Sequence, residues 1–250
     1  MKPGRAVAIV PVRVDSQRLP GKALLRETGQ PLFLHTWAAA CRAKCFARVV
    51  IATDSDEVAR AAGAAGAEVV RTSPQPRTGS ERCAEAVREL ECAAVVDIQG
   101  DWPEVDPRDL EALVDTLLVE GGVPTATLAT PLTDPHKIAD PNVVKVVAGR
   151  DRRALYFSRS PIPYLKRTDA GVGVLRHIGV YAFTRDALLR VPDLPSSGLD
   201  EAEGLEQLRF LENGLAMRVL LAHGEPWGIE TRADYDAFLQ RQRHNRNGRT

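Results

Sequence analysis

Ala6-Val7-Ala8-Ile9-Val10-Pro11-Val12 runs directly into Arg13-Val14-Asp15-Ser16-Gln17-Arg18-Leu19-Pro20-Gly21-Lys22. The first seven residues are apolar and β-rich, as a buried strand is. The residues after them place Arg13, Arg18 and Lys22 on a loop punctuated by Pro20 and Gly21. A helical stretch follows over 31–44, with Pro31 at a tolerated first-turn position. A buried strand, a charged loop and a helix in this order open an α/β fold.

Outward from that stretch the alternation repeats. Strands are expected at 49–52, 67–71, 94–99 and 125–130, and helices after Asp54, over 80–90 and over 107–120. Asp54, with Glu57 three residues on, reads as a capping box. Strands separated by helices of this length pair in parallel through right-handed crossovers. The second half is more mixed. Strands at 143–148, 154–158 and 178–184 leave little room for helices and imply an antiparallel excursion. A helix over 201–213, a strand at 217–222 and a helix over 232–241 complete the chain. The expected class is α/β: a mixed, mostly parallel, Rossmann-like central sheet flanked by helices, with a smaller antiparallel excursion. It forms a single domain over 1–240. The polar, basic tail over 241–250 reads as solvated and frayed.

Lys and Arg total 33, as do Asp and Glu, so the formal net charge of the 250 residues is zero. That balance argues against nucleic acid, whose partners usually carry a positive excess. With 44% apolar and 26% charged residues, the composition is that of an ordinary globular protein with a full core. No run approaches the roughly 18–20 apolar residues of a membrane span, so no membrane insertion and a cytoplasmic location are expected. Cys41, Cys45, Cys83 and Cys92 form no C-x-x-C and have no His at metal-ligand spacing. They read as reduced and partly buried.

Open α/β sheets bind ligands at the carboxyl ends of their strands. The chemistry-bearing residues collect there. Arg13, Arg18 and Lys22 follow the first strand, and Thr53-Asp54 the second. Arg71-Thr72-Ser73 and then Arg77-Thr78-Gly79-Ser80-Glu81-Arg82 follow the third, and Gln99-Gly100-Asp101 the fourth. Cations that clamp phosphate oxygens, with a glycine that lets the main chain approach, suit a polyphosphate. Asp101 suits Mg²⁺, which takes oxygen ligands and shares itself with phosphates. The bland alternative for the first loop is a solvated surface turn. The loop is not a Walker A motif, because Ser16 stands where its first Gly belongs and Ala23 where Ser or Thr belongs. No G-x-G-x-x-G follows the first strand, and no G-x-S-x-G occurs. Asp54-Ser55-Asp56 matches the D-x-D of metal-dependent glycosyltransferases, but coincides with the capping box.

Arg13-x-x-Ser16-x-Arg18-x-Pro20-Gly21-Lys22, directly after Ile9-Val10-Pro11, resembles the nucleotide-binding signature of the 3-deoxy-manno-octulosonate (KDO) cytidylyltransferases, or CMP-KDO synthetases. The similarity continues along nearly the whole chain. Thr78-Gly79-Ser80-Glu81-Arg82, Gln99-Gly100-Asp101 with Pro103, Pro141-Asn142-x-Val144-Lys145-Val146, Arg176-His177-Ile178-Gly179-Val180-Tyr181 and Leu205-Glu206-Gln207-Leu208-Arg209 all look like family blocks.

The resemblance implies a nucleotidyltransferase fold and an Mg²⁺-dependent, cytoplasmic homodimer. It would join CTP to a small acidic sugar, a 3-deoxy-2-ulosonic acid, giving a CMP-sugar and pyrophosphate. It divides the domain into a CTP-binding half over 1–130 and an acceptor-binding and dimerisation region over 131–225. Arg13, Ser16, Arg18, Lys22, Arg77, Ser80 and Gln99 would bind nucleotide, with Arg13, Arg18, Lys22 and Asp101 carrying the catalysis. Gln99, Arg159, His177, Tyr181, Glu206 and Gln207 would line the acceptor site, and Asp101 and Glu230 would hold the metal. His177 and Tyr181, four apart on a strand, are expected on one face. In the blander reading Glu206 pairs with Arg209 along a helix, and Glu81 and Arg82 are first-turn helix residues.

Two positions depart from the family pattern. Trp102 replaces the Glu of Gln-Gly-Asp-Glu-Pro. Gly228-Ile229-Glu230-Thr231 replaces Gly-Ile-Asp-Thr, so the second metal ligand is one methylene longer. A different small acid as acceptor, and a nucleotide-binding relative without catalysis, are therefore alternatives.

Overall fold

β1 (Ala6–Pro11) is buried along its whole length, and its alternate side chains feed two cores. Ala6, Ala8 and Val10 face one, and Val7 and Ile9 the other. A strand apolar on both faces needs helices on both sides. The computed structural model describes residues 6–14, 18–167, 171–196 and 198–247. One core is closed by α1 (Leu32–Ala40), α2 (Asp56–Ala64) and α4 (Pro107–Asp115), and the other by α3 (Gly79–Ala86), α6 (Arg185–Arg190) and α8 (Glu206–Glu212). Among the described residues no helix is long and apolar enough to cross a membrane.

Among the described residues the sheet has nine strands. β3 (Glu68–Arg71), β2 (Phe46–Thr53), β1 and β4 (Ala94–Ile98) lie side by side in parallel. β8 (Val174–Thr184) then runs antiparallel between β4 and β5 (Thr125–Leu132), and β9 (Met217–Leu221) closes the edge parallel to β5. β6 (Lys145–Ala148) and β7 (Ala154–Ser158) form the antiparallel excursion, β6 pairing with β8. The chain leaves β1 to one side for β2 and β3 and returns on its other side for β4. The carboxyl ends of β1 and β4 therefore flank a topological switch point, where a ligand crevice opens.

Local differences from the sequence reading have identifiable causes. Ser55, not Asp54, caps α2: its hydroxyl accepts from Val58 N–H at 3.3 Å. Asp54 instead pairs with the buried Arg82 at 3.3 Å. The helix after Pro31 stops at Ala40, short of the expected 44, and Cys41 just beyond it is exposed rather than partly buried. The helix expected over 201–213 is two, α7 (Gly198–Glu203) and α8, parted at Gly204, whose φ of +60° suits glycine. The short α5 (Pro135–Ala139) and α6 were not anticipated. The tail expected to fray from 241 instead continues α9 (Arg232–Asn247). A one-sided pattern of Tyr235, Phe238 and Leu239 against Leu32 and Ile229 docks that helix.

Candidate active site

The crevice at the switch point is a cleft of about 840 Å³. Arg13, Arg18, Lys22, Arg77, Gln99 and Asp101 line it, as do Arg159, His177, Tyr181, Glu206 and Gln207. Glu230 joins them from the loop before α9. Ser16 lies outside the described residues. Ser80 does not line the cleft: it is wholly buried, and its hydroxyl is spent on Asp97 and Glu206. The D-x-D carboxylates Asp54 and Asp56 also lie off the cleft, paired with Arg82 and Arg71.

The first loop folds its cations onto polar groups across the crevice. Arg13 Nη1 donates to the Arg77 carbonyl at 2.7 Å. Arg18 meets Glu230 Oε2 at 3.0 Å and Asn142 Oδ1 at 3.3 Å. Lys22 Nζ donates to Asp101 Oδ2 at 2.5 Å, Glu230 Oε2 at 3.3 Å and the Ile229 carbonyl at 2.9 Å. Burial alone would lower the Lys22 pKa. The two carboxylates outweigh it and hold the group above its ordinary value, so the lysine stays charged. Two hard oxygen donors thus converge on one cationic point, a donor set that suits a small divalent cation. Among the described residues no group of three or more His, Cys, Asp or Glu has metal-site geometry.

Asp97 was missed in the sequence, where a lone carboxylate in the apolar run Ala94-Val95-Val96-Asp97-Ile98 was the available signal. It is fully buried, and the Ser80 hydroxyl lies 2.9 Å from its Oδ2 and 3.1 Å from Glu206 Oε1. One hydroxyl has one hydrogen to donate. Each contact can be a hydrogen bond only if Asp97 or Glu206 carries a proton and donates to Ser80. Burial pushes both carboxyls up, and the charge of Glu206 pushes Asp97 further. Asp97 Oδ1 also accepts from Gln99 Nε2 at 2.8 Å, which fixes the Gln99 amide. That amide packs on Gly79 so closely that a Cβ there would overlap it.

On β8 the pairing with β5 slips: Tyr181 faces Thr127 and Ile178 faces Leu128, leaving Gly179 and Val180 as a bulge. His177 and Tyr181 keep one face, as expected. Four residues of a regular strand span about 13 Å along the backbone; here, with the bulge between them, the two rings lie 5.4 Å apart between centroids. Tyr181 donates to Gln207 Oε1 at 3.2 Å, and burial then the nearby carboxylates keep its phenol protonated. Thr127 Oγ1 donates to the Val180 carbonyl at 2.7 Å, so it accepts from His177 Nε2–H at 3.0 Å. That tautomer leaves Nδ1 as the acceptor. Burial and then Arg176 hold the His177 pKa down at about 3, so the ring is neutral.

Glu206 does not pair with Arg209, as the blander reading had it. Arg209 meets the buried Glu81 at 3.0 Å, and Arg77 meets the same carboxylate. Glu81 does lie in the first turn of α3, with Arg82 beside it, and both buried side chains also form ion pairs, Glu81 with Arg77 and Arg209 and Arg82 with Asp54. Arg159 spends part of its guanidinium on the carbonyls of Glu203 (2.7 Å) and Pro141 (2.9 Å). Arg176 and Trp227, also missed, stack at 3.9 Å in the wall of the cleft, with Lys137 4.1 Å from the same ring. Arg176 stood next to His177 in the sequence as an unexploited signal.

The chain is similar to known proteins along nearly all of its length. A sequence model of the family described as cytidylyltransferase matches residues 7–219. A 3-deoxy-manno-octulosonate cytidylyltransferase of Chlorobium limicola is 45% identical over 92% of this chain and 94% of its own. The same enzyme of Syntrophotalea carbinolica is 40% identical over 91% and 94%. Among solved structures, a CMP:2-keto-3-deoxy-manno-octonic acid synthetase complexed with CTP superposes with a TM-score of 0.88 at 36% identity, covering 96% of this chain and 99% of that one. A 4-diphosphocytidyl-2C-methyl-D-erythritol synthase of Anaerococcus prevotii has a TM-score of 0.59 at 14% identity over 94% and 96%, a likeness of fold alone.

Proposed function

The chain belongs to the 3-deoxy-manno-octulosonate cytidylyltransferase family and is a nucleotidyltransferase, and on that premise we propose that its cleft joins CTP to 3-deoxy-manno-octulosonate or a closely related ulosonic acid, releasing pyrophosphate. The observation that carries this reading is the first loop facing Asp101 and Glu230 across the switch point, with Lys22 Nζ within 3.3 Å of both carboxylates.

The acceptor's anomeric hydroxyl attacks the α-phosphorus in line with the departing pyrophosphate. Both reactants are anionic, so positive charge must be in place before they approach. Arg13, Arg18, Lys22 and Arg77 take the phosphate oxygens, exchanging their present partners for ligand. Asp101 and Glu230 fit Mg²⁺, which when bound supplies charge at the α-phosphate and lowers the pKa of the attacking hydroxyl. Gln99, with its amide fixed by Asp97, is placed to bridge the nucleotide and acceptor sides. Ser80 acts on both only through Asp97 and Glu206. On the acceptor side Arg159 offers its remaining N–H groups to the sugar carboxylate. His177 Nδ1 accepts from a sugar hydroxyl, and Tyr181, Gln207 and Glu206 set the others. A proton shared across Asp97, Ser80 and Glu206 removes one negative charge from the floor of a cleft that takes two anions.

We also propose that the CTP-binding half is 1–130, and that 131–225 binds the acceptor and forms a homodimer. Exposed Leu155 (63%) and Tyr164 (89%) in the second region support the dimer, and sedimentation of the pure protein tests it. The reaction is tested by pyrophosphate release with each common nucleoside triphosphate, Mg²⁺ and a panel of ulosonic acids. CTP with a 3-deoxy-2-ulosonic acid is the expected pair. Preference for another triphosphate, or no turnover with any acid of the panel, overturns the reading.

A further inference from the structure

The Trp102 indole lies between two glycines. A Cβ on Gly179 would stand 3.0 Å from its Nε1, and one on Gly228 3.0 Å from Cζ2 and 3.1 Å from Cε2. Neither glycine has a positive φ, so room for the ring, not backbone conformation, requires them. The ring separates the β8 bulge from segment 226–230. That segment is tied down along its length. Arg176 donates to the Pro226 carbonyl at 2.8 Å and stacks on Trp227 at 3.9 Å. Ile229 N–H donates to the Asp101 carbonyl at 2.9 Å, and Lys22 donates to the Ile229 carbonyl at 2.9 Å. The ring blocks movement toward β8, and these bonds resist movement away. Glu230 ends the segment, and its carboxylate arrives at the same Lys22 Nζ as Asp101. An Asp at that position would stop short by one C–C bond, about 1.5 Å.

We propose that Trp102 and Glu230 are a matched pair. Trp102 is a positioning residue whose ring sets the stand-off of segment 226–230, and the extra methylene of Glu230 spans that stand-off to bring its carboxylate beside Asp101. The proposal rests on the reading of Asp101 and Glu230 as the cation-holding pair.

A double-mutant cycle on the full chain tests it, read by Mn²⁺ affinity in the presence of CTP, from the signal of free Mn²⁺, with melting temperature as the control for folding. Glu230→Asp is expected to weaken Mn²⁺ binding about tenfold or more, the size of effect seen when a ligand shell is displaced. Trp102→Ala lets the segment close toward β8. The double variant should therefore bind at least about threefold tighter than the product of the single losses. Trp102→Phe keeps a ring between the glycines and leaves the Glu230→Asp defect in place. Multiplicative losses overturn the pairing, as does rescue by Phe equal to rescue by Ala. If Trp102→Ala does not fold, Gly228→Ala decides: its Cβ drives the segment off the ring and weakens Mn²⁺ binding several-fold, whereas unchanged affinity overturns the proposal. Asp101→Asn separates the two readings. If it leaves Mn²⁺ affinity intact, the cation reading falls and the pairing with it; if it abolishes affinity while the cycle is multiplicative, only the pairing falls.

Discussion

At the end of the cleft we propose for the nucleotide, Arg13, Arg18 and Arg77 are exposed and rest on a carbonyl, an amide and carboxylates. At the end proposed for the acceptor, His177, Tyr181 and Gln207 are 7%, 5% and 2% exposed, and their hydrogen bonds are made within the protein. The first set trades partners at little cost, because ion pairs in water contribute little. The second cannot move without leaving a buried polar group unpaired. A polyphosphate is strongly charged and identical among nucleotides, so displaceable cations suffice to hold it. An acid sugar must be told from its isomers, and fixed donors and acceptors do that.

Asp101 and Lys22 sit where the two ends meet, and the largest losses are expected there. Asp101→Asn should lower kcat on the order of a thousandfold, the several kcal/mol a cation contributes to transition-state charge, with an unchanged melting temperature. Near-normal turnover would remove Asp101 from the centre of the comparison. Lys22→Met should lower kcat about a hundredfold, as loss of one charge-stabilising donor does. It also leaves Asp101 and Glu230 without their shared ammonium. Mn²⁺ titration of the free variant should therefore show tighter binding than wild type.

Glu206→Gln separates the ends. The acceptor KM should rise roughly tenfold, the weight of a buried hydrogen bond to a charged group, while the CTP KM holds steady. Equal changes in both would mean that the acceptor end is not independently built. Salt probes the reverse. Because the Debye length shrinks from about 10 Å at 0.1 M to 3 Å at 1 M, added salt should raise the CTP KM several-fold. The acceptor KM should move less, since Arg159 is the one cation among the groups proposed to bind it and His177, Tyr181 and Gln207 are buried.

The contrast also explains what was legible in the sequence. β1, β4 and the cationic loop were readable because apolar runs and clustered charge are local patterns. The antiparallel excursion was readable because 143–158 has no room for helices. Asp97, Arg176 and the true role of Ser80 were not. Their meaning depends on what lies across the sheet: Glu206 from a helix some 110 residues later, or Trp227 from the last loop. Ser55 took the cap because Arg82, distant in sequence, claims Asp54. Trp102 stood out as a departure from the family pattern, but its place between Gly179 and Gly228 needed the fold. The split of 201–213 turned on one glycine.

The smallest effect expected is on stability, and it tests whether the acceptor end is held in one protonation state. His177 has a folded pKa of about 3 against an ordinary 6.5, lowered first by burial and then by Arg176. As pH falls, the unfolded chain takes up this proton first, so stability rises with pH through the window between the two values. The stabilising preference for the neutral ring is complete above about 6.5 and declines towards about 3. His177→Gln has no such proton. At pH 7 it should be less stable by about 1–2 kcal/mol, because its amide matches the Thr127 hydroxyl less well. Its urea midpoint should then fall less steeply than wild type between pH 6.5 and 4, so that the two curves converge. Parallel curves would place the acid sensitivity elsewhere. The neutral Nδ1 acceptor, and with it the fixed hydrogen-bond pattern that distinguishes the acceptor end from the nucleotide end, would lose its support.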